Sequence, residues 1–209
     1  WAVDSKVIMK QGQHKSARPL NFLAATTLAH DLLASKFNQY SFESEKPMNF
    51  KPGQYLSVKV APDAIRSYSI ATRKGKNNFD LLVDTRPGGL GSRFFENLKT
   101  GDKITYLGPF GIFTFKEDDK VDELLFLATG SGISAIRCMI DVALLENDFK
   151  KPMTLYFGLT TPEEIFWQDH FEELVKKFPN FKYKIALFKP DPSWKGATGF
   201  ITELVRNDY

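Results

Sequence analysis

Arg66-Ser67-Tyr68-Ser69 is followed about twenty residues later by Gly89-Leu90-Gly91-Ser92, and the two segments carry complementary chemistry. An arginine guanidinium can hold a phosphate through a bidentate, charge-assisted contact, and a tyrosine offers a flat face to an aromatic ring. A serine hydroxyl beside that ring donates or accepts one hydrogen bond. The later Gly-x-x-Ser lets backbone come close to a second phosphate, most effectively where a helix begins. Together these residues describe a cradle for a flavin dinucleotide, with phosphates at one end and a stacked redox ring at the other. Taken singly, Tyr68 and Ser69 are equally compatible with an ordinary strand, and Arg66 with a solvated edge charge. The ordered set is not explained that way.

A third segment, Gly130-Ser131-Gly132-Ile133-Ser134-Ala135, fits G-x-G-x-x-A. Alone this is a weak match, because short glycine patterns arise by accident; its flanks strengthen it. An apolar run at 124–128 precedes it, and Ile133, Ile136, Ile140, Ala143 and Leu144 follow at helical spacing. Small residues at such a turn let a pyrophosphate approach free N–H groups at a helix start. One element of the usual dinucleotide fingerprint is missing. The next strand ends in Phe157-Gly158-Leu159, without the Asp or Glu that would hold a ribose.

Two kinds of scaffold must carry these segments. Short β-compatible runs at 20–28, 31–37, 54–60, 67–71, 79–84 and 103–107, with one helix at about 92–98, predict a closed antiparallel Greek-key barrel. After the charged connector Lys116-Glu117-Asp118-Asp119-Lys120 the rhythm becomes strand, glycine turn, helix. Run 124–128 reads as a parallel strand buried on both faces. Strands at 153–157 and 181–187 follow, and Thr161-Pro162-Glu163-Glu164 reads as a capping box opening a helix. A further helix begins near residue 200. This order predicts a doubly wound parallel sheet. The expected organisation is an unassigned segment 1–17, a barrel domain 18–115 and an α/β domain 120–209.

Composition narrows the chemistry. The chain has 209 residues, 28 basic and 25 acidic, for a net charge of +3. That balance gives no electrostatic footprint for nucleic acid. The single cysteine, Cys138, excludes a disulfide framework and an iron–sulfur cluster held by this chain's own thiolates. His14, His30 and His170 are scattered without metal-ligand spacing, so no metal is expected. No apolar run is long enough to cross a bilayer, and no secretory leader is recognisable, so the expected compartment is the reducing cytoplasm.

The order of motifs resembles the ferredoxin–NADP reductase superfamily, in which a flavin-binding barrel precedes a nicotinamide-binding α/β domain. The resemblance spans about residues 18–209. Phe50-Lys51-Pro52-Gly53-Gln54-Tyr55 looks like the strand start before the flavin motif. Arg66, Tyr68 and Ser69 fall on the family's R-x-Y-S, and Gly89 and Ser92 on its G-x-x-S. Gly108-Pro109-Phe110-Gly111-Ile112-Phe113 is similar to the segment closing the barrel. Gly130-Ser131-Gly132 takes the place of the family's G-T-G. Trp194-Lys195-Gly196-Ala197-Thr198-Gly199-Phe200-Ile201 looks like a later loop before a helix. Bacterial reductase components, with their flavin domains attached to oxygenases or flavohaemoglobins, are the most similar variant.

What the resemblance implies is specific. Arg66 would bind flavin phosphate, Tyr68 would stack on the isoalloxazine, and Ser69 would hydrogen-bond near its reactive nitrogen. Tyr68 and Ser69 are thus the residues expected at the reacting ring. Gly89, Gly91 and Ser92 would hold the pyrophosphate, and Gly130, Ser131 and Gly132 would face the nicotinamide nucleotide. The implied activity is an NAD(P)H-dependent FAD reductase that passes single electrons to a ferredoxin, a flavodoxin, a haem domain or an oxygenase. FAD is favoured over FMN by the second phosphate site. NADH is slightly favoured over NADPH because Gly158-Leu159-Thr160-Thr161-Pro162 offers no basic residue. Two departures stand out: Ala135 replaces a common proline, and the chain stops at Tyr209 without the family's C-terminal Cys-Gly segment. The α/β domain is therefore expected to be incomplete. Cys138, inside the first helix of that domain, reads as core. Alternatives from other classes are a flavin-bearing electron-transfer subunit that oxidises no nicotinamide and a non-catalytic interaction module.

Overall fold

The computed structural model describes residues 21–115 and 121–209. Segment 1–17 and the connector 116–120 lie outside the described residues. Six antiparallel strands close a barrel: β1 (Leu23–Ala34), β2 (Phe37–Ser44), β3 (Tyr55–Ala61), β4 (Ala64–Lys74), β5 (Asn78–Asp84) and β6 (Lys103–Phe110), in the order β1-β2-β5-β4-β3-β6. Helix α1 (Leu90–Glu96) packs against β3 and β5. Alternate residues of the strands fill the interior, as period-two geometry requires. Tyr40, Phe42 and Ser44 on β2 are buried, with Phe79 and Tyr106 beside them. Each fully buried aromatic ring contributes about 1.5–3 kcal/mol. The polar tips are satisfied: the Tyr40 hydroxyl donates to the Phe95 carbonyl at 2.8 Å, and the Ser44 and Tyr106 hydroxyls lie 2.7 Å apart.

The first two strands differ from the sequence expectation. Residues 31–37 are not a strand of their own. They contain the end of β1, the turn at Ser35-Lys36 and the start of β2. Irregularities at Thr27/Ala29 and Leu32/Ala34 break the period of β1 and leave Leu28 and Leu32 exposed. β2 is masked by its polar start, where buried Asn38 donates to the Lys36 carbonyl at 3.2 Å.

The second unit is a four-stranded parallel sheet of β7 (Leu124–Thr129), β8 (Met153–Leu159), β9 (Phe181–Leu187) and β10 (Ala197–Thr198), in the order β10-β9-β8-β7. Helices α2 (Ile133–Asp141), α3 (Gln168–Lys177) and α4 (Ile201–Asp208) accompany it. The helical stripe Ile133, Ile136, Ile140, Ala143 and Leu144 is buried, and a π-helical turn, Val142–Glu146, prolongs α2. Strand β7 corrects the expectation of burial on both faces. Phe126 and Ala128 are buried, but Leu125 and Leu127 are 38% and 40% exposed. β7 also ends the strand order among the described residues.

The expected helix start at Thr161 is also corrected. Pro162–Glu164 forms one tight turn, Ile165 is extended, and α3 begins only at Gln168, after Trp167 in the left-handed region at φ 56°. Tertiary contact overrides the local signal. Phe166 packs on Phe37 of the barrel with ring centroids 4.6 Å apart, and Glu164 turns to partners across the same boundary. The two units share their cores. Phe37, Ala71 and Leu82 of the barrel lie in the core of the α/β unit, and Cys138 of α2 lies in that of the barrel. Burial pushes the Cys138 thiol up to about 12, leaving it inert packing.

Candidate dinucleotide sites

In the antiparallel register Arg66 faces Val58, Tyr68 faces Leu56 and Ser69 faces Tyr55. Arg66 and Tyr68 therefore share one face of β4. Ser69 lies on the other, continued by Ala71, which is buried in the α/β core. A register irregularity between Ile70 and Thr72 interrupts the alternation just beyond it, and Ser69 itself is half-buried. Arg66 is exposed, its Nη1 donating to the Ile65 carbonyl at 2.8 Å. Tyr68 is half-buried, edge-on to Phe95 at 4.8 Å. Burial pushes its phenol above the ordinary value against the opposing pull of Arg66, so it stays protonated at neutral pH.

Gly91 joins the two motifs. A Cβ built there would stand 2.2 Å from the Tyr68 hydroxyl and 3.6 Å from Arg66 Cγ. Only a residue without a side chain lets the first turn of α1 approach both. Gly91 and Ser92 are buried, while Gly89, the residue before the helix, is exposed with open space around it. The phenol, the aliphatic stem of Arg66 and a bare helix turn therefore meet on one side of the barrel. A ring to stack on, a cation and close backbone are the donor set a flavin dinucleotide requires.

The glycine turn of the α/β unit forms a second recess. Gly130–Gly132 is a single 3-10 turn between β7 and α2, with Gly130 left-handed at φ 50° and facing the Phe37 ring. A cavity of about 540 Å³ opens there along the C-terminal ends of the strands, where open α/β sheets bind ligands. Gly130 and Ser131 line it and Gly132 does not. Phe188 and Phe200 stand together on the far wall with centroids 5.0 Å apart. The volume and the bare turn suit a nucleotide.

The barrel contributes to the same cavity through Asp84 and Arg86, which sequence reasoning missed. Glu164, read as a capping residue, stands beside them. It forms an ion pair with buried Lys36, accepts the Thr160 N–H at 3.0 Å and lies 3.4 Å from Arg86 Nη1. Burial pushes the Glu164 carboxyl up, but Lys36 and the Thr160 N–H outweigh it and hold it below the usual carboxylate range. Burial opposes Asp84 in the same way, and Arg86 pulls it down. Asp84 and Arg86 pair locally, two residues apart, but the contacts from Glu164 to Lys36 and Arg86 join segments far apart in sequence, so no local pattern marks the group. A second set of missed contacts ties the units together elsewhere. Trp167 Nε1 donates to Gln39 Oε1 at 3.2 Å, Gln39 Nε2 donates to Asp80 at 3.1 Å, and the Arg137 guanidinium lies 4.1 Å over the Trp167 ring.

Known families match two segments of the chain. A family described as oxidoreductase FAD-binding domain matches residues 20–115, and one described as oxidoreductase NAD-binding domain matches residues 126–209. The phenol 2-monooxygenase reductase component DmpP of Pseudomonas sp. (strain CF600) is 35% identical over 170 residues, 79% of this chain and 48% of that protein. A component of the Na(+)-translocating NADH-quinone reductase of Methylococcus capsulatus is 32% identical over 189 residues, 83% of this chain and 46% of that protein. The chain thus spans about half the length of these relatives. The Amycolatopsis reductase GcoB superposes with a TM-score of 0.81 at 27% identity, over 92% of this chain and 59% of that one. A Neisseria gonorrhoeae ferredoxin NADP+ reductase, solved with FAD and NADP, shares the fold at TM-score 0.78 and 19% identity, over 90% of this chain and 76% of that one. Among the described residues no helix is long and apolar enough to cross a membrane. An FAD-binding barrel and an NAD-binding α/β unit in this order make the chain a member of the ferredoxin–NADP reductase superfamily.

Proposed function

We propose that this chain is the reductase portion of an electron-transfer protein: it oxidises NAD(P)H, keeps the hydride's electrons on FAD and passes them singly to a protein redox partner. The observation that carries this is the convergence of Arg66, Tyr68 and Gly91 on one side of a barrel that shares its core with the α/β unit, which holds the nucleotide-sized cavity at Gly130-Ser131. In this reading residues 18–115 are the FAD domain and 120–209 the NAD(P) domain. FAD supplies the conversion between a two-electron donor and one-electron acceptors, and the protein supplies orientation. Arg66 holds phosphate, neutral Tyr68 presents its ring, and Gly89, Gly91 and Ser92 bring backbone close to the pyrophosphate. Ser69 offers its hydroxyl beside Tyr68, on the opposite face of β4. Gly130, Ser131 and Gly132 form the turn against the nucleotide.

The cavity favours this reading over a non-catalytic module. Its lining holds one cation among the described residues, which gives no separate partner for a 2′-phosphate and favours NADH. The acceptor in this reading is a protein of the ferredoxin, flavodoxin, haem or oxygenase class, and the name of one relative, a reductase component of phenol 2-monooxygenase, supports the oxygenase choice. The reducing cytoplasm is the proposed compartment.

Two substitutions test the flavin assignment. Arg66→Ala is expected to weaken FAD binding about tenfold to a hundredfold, the worth of a charge-assisted contact of about 1.5–3 kcal/mol. Equilibrium titration with FAD checks this, and undiminished affinity would contradict the phosphate role. Ser69→Ala is expected to retain FAD but to slow its reduction by NADH about tenfold, the loss of one hydrogen bond near the reacting ring. Stopped-flow rates equal to wild type would remove Ser69 from the mechanism.

A further inference from the structure

Two kinds of contact join the barrel to the α/β unit, and they differ in what they can specify. Helix α2 begins at the glycine turn of the cavity and lies against β4, the strand that carries Arg66, Tyr68 and Ser69. Shared apolar cores supply the adhesion, but apolar burial is non-directional and by itself lets packed faces slide. The second kind of contact is polar and directional, with Gln39 of β2 at its centre. Gln39 Oε1 accepts from Trp167 Nε1 at 3.2 Å and lies 3.5 Å from Arg137 Nη1, while Nε2 donates to Asp80 Oδ2 at 3.1 Å. Donors on one side and a carboxylate on the other permit one orientation of the amide. Asp80 is held in turn by Thr72 Oγ1 at 2.7 Å and Lys74 Nζ at 2.9 Å.

This arrangement costs more than adhesion requires. Trp167 is held in the left-handed region, which is strained for a residue with a side chain. Asp80 is 1% exposed, and its Oδ1 has no hydrogen-bond partner among the described residues. Apolar side chains would join the units at lower cost, so what the polar contacts add is a defined geometry. We propose that Gln39, clasped between Asp80 of the barrel and Trp167 and Arg137 of the α/β unit, is a positioning residue for hydride transfer: it fixes the angle at which the nucleotide turn faces the flavin strand. This deepens the reductase reading and rests on it. Neither Gln39 nor Trp167 lines the nucleotide cavity, so replacing them leaves binding in place and changes how the two units meet. Rates respond steeply to such a change, because a misplacement of about 1 Å can cost on the order of a hundredfold.

The test compares the FAD-loaded wild-type chain with Trp167→Phe, Gln39→Glu and the double variant Gln39→Glu with Asp80→Asn. Trp167→Phe keeps an aromatic ring for Arg137 and removes the Nε1–H donor. Gln39→Glu sets carboxylate against carboxylate, and the added Asp80→Asn restores the bond with donor and acceptor exchanged. Stopped-flow measures flavin reduction at saturating NADH, and calorimetry measures NAD+ affinity. Spin labels on Lys46→Cys and Lys176→Cys, exposed positions in the two units, measure their separation. Gln39→Glu is expected to slow reduction about tenfold to a hundredfold and to widen the distance distribution, with NAD+ affinity and FAD content within about twofold of wild type. The double variant should recover both, and Trp167→Phe should slow reduction about twofold to tenfold. A wild-type rate or an unchanged distance distribution in Gln39→Glu overturns the assignment. Parallel losses of rate, NAD+ affinity and FAD make Gln39 a structural tie and overturn it too, as does a double variant no faster than Gln39→Glu. If Gln39→Glu fails to fold, Trp167→Phe decides, and a wild-type rate there overturns the assignment. A wild-type flavin that NADH does not reduce defeats the reductase reading itself, whereas normal wild-type reduction with an indifferent Gln39→Glu defeats only Gln39.

Discussion

Replacing Glu164 with alanine is expected to destabilise the chain by about 3–5 kcal/mol, the cost of leaving a buried charge without its partner. The charge left behind is Lys36, whose side chain is 6% exposed where the β1–β2 turn enters the α/β unit. Urea unfolding followed by tryptophan fluorescence measures the loss, and a change below about 1 kcal/mol would show that Lys36 finds another partner. A double replacement, Lys36→Met with Glu164→Leu, should recover most of the stability, since apolar residues of similar size often match a buried pair. The same pair sets an acid limit. The folded Glu164 carboxyl titrates below its ordinary value of 4.5, so the unfolded chain binds the proton first as pH falls. Stability from this group is complete at neutral pH, begins to decline near 4.5 and is lost through the depressed folded value. Asp84 acts in the same direction.

Gly91→Ala is the second large effect, and it acts on the flavin cradle. The new Cβ would stand 2.2 Å from the Tyr68 hydroxyl, so either the ring or the start of α1 must move. The ring is held against Phe95, which is fully buried. Overpacking of this kind costs about 1–3 kcal/mol, and moving the stacking ring should weaken FAD binding about a hundredfold. Gly89→Ala is the matched control, because that position has negative φ and nothing within 4 Å of an added Cβ. Its stability should stay within about 0.5 kcal/mol of wild type. A Gly91→Ala chain that unfolds like wild type and binds FAD equally well would refute the close approach of the two motifs.

The legible parts of this chain were those set by local pattern. Strand alternation around Arg66 and Tyr68, the bare turn at Gly130 and the stripe from Ile133 to Leu144 each follow from residue spacing, and each stands where spacing put it. What the sequence hid was set by contacts between distant segments. The polar start of β2 looks solvated until Asn38 is seen bonded inside the hairpin. Thr161-Pro162-Glu163-Glu164 has the chemistry of a helix start, but Glu164 gains more from Lys36 across the boundary than from capping. The apolar run of β7 signals a strand correctly and its layers wrongly, because burial of the second face depends on what lies beside it. Within the candidate sites, the glycines and the R-x-Y-S residues were singled out by their types, and the structure brings Tyr68, Arg66 and Gly91 together. Asp84 and Arg86 at the cavity, and Lys36 paired with Glu164 behind it, were not, since nothing near them in sequence announces the second unit.

The most direct measurement is an anaerobic visible spectrum of the FAD-loaded chain before and after addition of NADH, then of NADPH. Bleaching of the flavin bands, faster with NADH, is the predicted result. Bands that stay intact while NADH demonstrably binds would contradict the account, leaving a chain that carries flavin without oxidising nicotinamide.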